Sequence, residues 1–228
     1  MEQSCKMKPQ AVFVETNWVV DILKPEHLQT PQAAQLLELA EAGEFELHLP
    51  AICLTEARET IPRRFTPRND SNDLRKFVQW AKRQGKLTTE DANAAFRVFD
   101  KFDGLVTNEL TKVPERLREL AQHPNLNVFP LSESMLERQV SIGAMDTSLK
   151  PYDMAVLAAI LVRAEDLQQQ GHSWVGFCEL DSDLQPWDKN GVLKPILNDL
   201  YNASRIWVYR DFLVEDVDEL PEVWFSSN

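Results

Sequence analysis

The chain has 228 residues, 43% of them hydrophobic, and a formal net charge of −12, which is enough apolar material to bury a sizeable core. An acidic surface excludes bulk attraction as a way to grip a phosphate backbone, so any contact with nucleic acid needs a local basic patch or bound cations. No apolar run approaches the length of a membrane span, and MEQSCKMKPQ lacks the long apolar segment of a secretory signal, so the chain is expected in the cytoplasm.

In chain order, AVFV at 11–14 is a short apolar strand, and Asn17 is placed to cap a helix running to Leu23. PQAAQLLELAEAG at 31–43 reads as a helix that opens on Pro and closes on Gly43. FELHLP at 45–50 alternates as a strand does, and AICLTEARETIPRRF at 51–65 returns to helical spacing with Glu56 in its first turns. From 66 to 126 no strand pattern occurs. NDLRKFVQWAKRQG, TTEDANAAFRVFDKF and TNELTKVPERLRELAQH are amphipathic helices parted by Gly or turn residues. They form a helical insertion within a single domain spanning 1–228.

LNVFPL at 126–131 resumes strand character and a helix follows at 132–145. PYDMAVLAAILVRAEDLQQQG at 151–171 is a helix that is apolar on nearly every side from Met154 to Val162, so neighbours must cover most of its faces. WVGFCEL at 174–180 is a buried type of strand running into Asp181-Ser182-Asp183, and a short helix near 191–203 precedes the strand RIWVY at 205–209. The tail, with Asp211, Glu215, Asp216, Asp218 and Glu219, is acidic. Alternating strands and helices imply right-handed crossovers and an α/β, three-layer α/β/α fold with a mostly parallel central sheet.

Cys5, Cys53 and Cys178 are far apart and contain no CxxC, and His27, His48, His123 and His172 are scattered singly, so neither a disulfide framework nor a zinc site is expected. Carboxylates carry the signal instead. In open parallel sheets the functional crevice lies beyond the carboxyl ends of the strands. Glu15 follows the first strand, Asp181 follows the fourth, and Glu56 and Asp153 lie near the starts of helices. Four ionised acids can share a small space only if cations neutralise them, and an all-oxygen set favours Mg²⁺ or Mn²⁺. The basic middle of the chain, with Arg58, Arg63, Arg64, Arg68, Arg75, Lys76, Lys82 and Arg83, is the candidate nucleic-acid patch; a solvated helical face accounts equally well for any one of them.

The ordered set VETN at 14–17, LTEA at 54–57, YDMAVLAA at 152–159 and LDSDL at 180–184 resembles the PIN domain, a metal-dependent nuclease fold, over roughly residues 11–65 and 127–210. Two positions depart from the family pattern: Glu15 stands where Asp is usual, and Leu184 where Phe commonly follows the second Asp. The resemblance implies a metal-dependent endoribonuclease in which two Mg²⁺ or Mn²⁺ ions, held by Glu15, Glu56, Asp153 and Asp181 with Asp183 as an outer ligand, activate water. Thr16 and Asn17 would support the loop, and Arg58, Arg63, Arg64 and Arg68 would contact nucleic acid. RNA is the implied substrate, with DNA as the alternative; a homodimer and a cognate antitoxin-like protein are the implied protein partners. The competing expectation is a catalytically weak PIN-like module that binds a protein or RNA partner, with Glu15 marking a weakened metal site.

Overall fold

The computed structural model describes residues 7–217, apart from the side chains of residues 68–70, so Cys5, Asp218, Glu219, Trp224 and the side chain of Arg68 lie outside the described part. Five short strands, β1 (Ala11–Phe13), β2 (Glu46–Pro50), β3 (Leu126–Phe129), β4 (Val175–Cys178) and β5 (Ile206–Tyr209), form one sheet in the order β3-β2-β1-β4-β5. All four pairings are parallel, with Phe13 beside His48 on one side and Phe177 on the other. The α/β expectation is met. β1, β4 and all of β2 after Glu46 are buried, which is why these strands read as nearly continuous apolar runs.

The helices α1 (Thr16–Leu23), α2 (Pro31–Glu41), α3 (Ala51–Arg64), α6 (Val113–Ala121), α7 (Glu133–Gly143), α8 (Pro151–Gln169) and α9 (Pro195–Ala203) clad the sheet. From Ala155 to Val162 every residue of α8 is buried, as its unbroken apolar run requires. In the middle of β4, a Cβ on Gly176 would stand 2.9 Å from the Tyr209 ring, so only glycine lets β4 lie this close to its neighbours.

The insertion differs from expectation in its make-up. α4 (Pro67–Arg83) and α5 (Thr89–Thr111) form a hairpin, and α5 runs straight through Gly104 rather than stopping near 102. A single helical glycine costs only about 1 kcal/mol, and the Thr88–Asp91 capping box at the start of α5 helps to offset it. The break comes at Lys112, where Pro114 lies in the first turn of α6. α6 belongs to the body, because Val113, Leu117 and Leu120 join the main core. The buried Val78, Ala81, Ala92 and Val106 of the hairpin do not; they lie where α4 and α5 pack on each other, outside the main core. α3 packs directly on α6.

The chain winds β1, β2, β3 toward one edge and β4, β5 toward the other, so the winding reverses between β1 and β4. That switch point opens a crevice beyond the carboxyl ends of the two central strands.

Candidate functional site

Both central strands end in a buried glutamate at this crevice, Glu15 lining it and Glu179 behind it. After β1, Val14 still donates its N–H to the His48 carbonyl at 3.0 Å, and Glu15 is the first residue to leave the sheet. It is only 5% exposed. Its carboxylate accepts the backbone N–H of Asn17 at 2.8 Å, so Glu15 rather than Asn17 caps α1. The cap falls two residues earlier than expected because a carboxylate can satisfy a free N–H of the first turn as well as an asparagine can.

Thr16 donates its hydroxyl to Glu56 at 2.5 Å, joining the start of α1 to α3. Tyr152 donates its hydroxyl to the Ile52 carbonyl at 2.5 Å, which pins the start of α8 against the same helix and sets Asp153 in the crevice. On β4, Glu179 follows Cys178 directly and is fully buried. One of its oxygens accepts the backbone N–H of Asp181, and the other has no hydrogen-bond partner. Asp181 in turn accepts the Asp183 N–H at 2.8 Å.

The result is a narrow cleft of about 80 Å³ lined by Glu15, Thr16, Asn17, Glu56, Tyr152, Asp153 and Asp181, with Val20, Thr60, Val156 and Leu184 completing the wall. All four carboxylates expected at the site line it, together with Thr16 and Asn17. Asp183 stands apart: it is exposed, with its carboxylate 3.5 Å from Lys150, and its contribution to the cleft is the backbone N–H given to Asp181. Arg58 and Arg63 are exposed on α3, while Arg64 lines a neighbouring groove. Part of the basic patch is already neutralised, since Arg75 pairs with Asp100 and Asp103 at 3.0 and 2.8 Å and Lys76 with Asp73 at 3.0 Å.

No family model matches the chain, and neither does any curated protein or solved structure. The chemistry of the cleft therefore has to be read from its own electrostatics. Burial pushes the Glu15 carboxyl well up, and the charges of Glu56 and Asp181 push it further against the opposing Asn17 hydrogen bond. Burial likewise raises Glu179, with Glu15 as the next cause, and raises Asp153, with Asp181 as the next. The acids destabilise the charge on one another, with Lys150 opposing this only at Asp153, which is the signature of a crowded anionic site.

Among the described residues, no three His, Cys, Asp or Glu side chains stand ready-arranged to hold a metal ion. The donors nevertheless suit one. Asp153 and Glu179 each have a buried carboxylate oxygen without a partner, and such oxygens take hard cations such as Mg²⁺ or Mn²⁺.

Glu179, Tyr152 and Thr60 are site residues that the sequence reading passed over. Glu179 carries a signal: like Glu15, it is an acid set at the end of an apolar strand, but WVGFCEL reads as strand throughout. Tyr152 and Thr60 carry a weaker one in their spacing beside Asp153 and four residues after Glu56.

Proposed function

We propose that this chain is a metal-dependent nuclease that hydrolyses phosphodiester bonds, with RNA as its substrate, at the cleft formed by Glu15, Glu56, Asp153 and Asp181. The observation that carries this reading is the convergence of four sequence-distant carboxylates on one cleft at the switch point of the sheet, with Glu15 and Asp153 each raised by burial and by the charge of Asp181. The choice of RNA rests on the resemblance to PIN domains; DNA is the alternative substrate.

Glu15, Glu56, Asp153 and Asp181 would hold Mg²⁺ or Mn²⁺, with Glu179 behind them. When bound, such ions supply the Lewis acidity that activates water and steadies charge on the phosphoryl oxygens. The chain's own residues do the rest. Thr16 fixes the Glu56 carboxylate by its hydrogen bond, Glu179 holds the turn that presents Asp181, and Tyr152 anchors the helix that presents Asp153. Val20, Val156 and Leu184 make that side of the cleft apolar and restrict water.

The deciding experiment is cleavage of a labelled mixed-sequence RNA, and of the matched DNA, with Mn²⁺, with Mg²⁺ and with chelator. The Asp181→Asn protein serves as control. Metal-dependent cutting that disappears in the control is the expected result; equal background in all arms overturns the reading.

A second reading is favoured by one observation, the lack of a ready-made cage among the described carboxylates. It makes the chain a catalytically weak module that binds RNA or a protein partner, such as a second copy or an antitoxin-like protein. A thermal shift on adding Mn²⁺ separates the two, since the binding module needs no metal.

A further inference from the structure

Next to the carboxylate cleft lies a larger groove of about 430 Å³, whose walls include Asn17, Val20, Leu28, Arg64, Phe65 and Leu180. Asn17 and Val20 also line the cleft, so the two lie side by side and share a wall. The groove falls within the size range of small-ligand pockets, about 300–1,000 Å³.

Its chemistry is unlike that of the cleft. Leu28 and Leu180 are 40% and 43% exposed, so the groove offers bare apolar surface beside a charged site. The Arg64 guanidinium rests 5.5 Å from the centre of the Phe65 ring, so a cation and an aromatic face stand side by side on one wall. The groove's one carboxylate, Asp21, is already engaged: it pairs with Lys24 and accepts the hydroxyl of Thr30.

The α3 helix links the two sites. Glu56, Thr60 and Arg64 follow one another at four-residue spacing, which sets acid, hydroxyl and cation along one face of the helix. Glu56 and Thr60 belong to the cleft and Arg64 to the groove, about 12 Å further along at 1.5 Å per residue.

We propose that this groove is a subsite for an unpaired nucleotide adjoining the one cut in the cleft. Arg64 holds its phosphate, and its base lies against Leu28, Phe65 and Leu180. The inference rests on the nuclease reading of the cleft and adds to it a substrate geometry. A base inside a duplex is already stacked on both faces and cannot lie on this wall, so the chain selects single strands.

The test uses the full chain in chelator, where nothing is cut, and a short labelled RNA in three forms: single-stranded, paired with its complement, and single-stranded with one abasic position scanned along it. Fluorescence anisotropy is expected to show the single strand binding at least tenfold more tightly than the duplex. Arg64→Gln should weaken the single strand about fivefold at low salt and make the slope of log K against log salt shallower by about 0.7, the loss of one phosphate contact. Leu180→Ala should weaken the intact strand about fivefold, a modest loss beside a full base stack, and should have no effect on the strand whose abasic position falls in the groove.

Absence of binding by the wild-type chain overturns the proposal. So does equal binding of the duplex, or wild-type binding by both variants with their folding confirmed by thermal melts. The nuclease reading fails separately. If metal-dependent cutting never occurs but the groove variants lose binding, the groove stands and the nuclease falls; if cutting depends on Asp181 while both variants bind normally, the reverse holds.

Discussion

The two ends of the sheet use the same residue types to opposite effect. At the amino end, Glu44 meets Lys8 at 2.9 Å and Glu46 meets His48 at 3.1 Å, and both acids keep part of their surface in water. A larger cavity there, about 390 Å³, is lined by Glu44, Glu46 and amide side chains. At the carboxyl end, Glu15 and Glu179 are buried, Glu179 has an oxygen without a partner, and the cleft measures only about 80 Å³. The cleft is thus smaller than the cavity at the amino end, and its size alone does not single it out. What distinguishes the carboxyl end is buried carboxylate without a partner, at Asp153 and Glu179, and such groups are costly to keep.

The largest effect that would break this contrast is on activity. Asp181→Asn and Asp153→Asn should each lower metal-dependent cleavage by about 10³-fold, because each removes a carboxylate from the cleft. Both proteins should melt no lower than wild type without metal; a variant that fails to fold would move its residue from chemistry to structure. Glu15→Asp should keep or raise Mn²⁺-dependent cutting, and its loss would show that the longer side chain, by reaching the Asn17 N–H, is part of a tuned site.

The next effect is on stability. Glu179→Gln keeps an oxygen for the Asp181 N–H while removing a buried charge that is costly near neutral pH. In chelator it should stabilise the chain, measured by denaturant melts, because near neutral pH the wild-type carboxyl must either keep a buried charge or take up a proton on folding. A drop in stability instead would mean that the carboxylate has a favourable partner in the fold.

His48 gives a contrast with a defined sign. Burial holds its imidazole down to about 4, beside the rings of Phe13 and Phe129. Between that value and the ordinary one near 6.5, the unfolded chain binds a proton that the folded chain does not. His48 therefore removes stability as pH drops through this window, by about 3 kcal/mol at its lower end, while Glu15 and Glu179, raised by burial, act in the opposite direction. His48→Gln should take away only the histidine contribution, so the variant should gain stability relative to wild type as pH falls, and a difference that does not change with pH would assign acid sensitivity elsewhere. The smallest effect belongs to the exposed amino end, where Lys8→Ala should cost about 0.5 kcal/mol or less and cost still less in high salt.

Much of this contrast is written in the sequence. The apolar runs at 11–14 and 174–178 locate the central strands, and the run from Met154 to Val162 announces a helix buried on nearly all sides. Glu15, Glu56, Asp153 and Asp181 stand out because a charge next to such runs is costly without a purpose. Glu179 was hidden by the same logic. It extends an apolar run by one residue, and where a buried strand has no alternation, nothing local says where it ends. The start of α1 and the continuity of α5 through Gly104 were hidden for another reason, since caps and single glycines shift boundaries by energies of about 1 kcal/mol that tertiary packing readily overrides.

The α4–α5 hairpin packs on itself outside the main core, and the body joins its two roots by setting α3 against α6. Its length is thus nearly free to vary, since closing a longer or shorter excursion between fixed ends changes the entropy only logarithmically, by about 0.6 kcal/mol per doubling. Arg64 and Phe65, just before its first root, place the proposed nucleotide groove where a change in the hairpin would be felt, and α5 also touches the body where Glu109 accepts the Glu26 N–H at 2.8 Å and Phe102 meets the His27 ring edge-on.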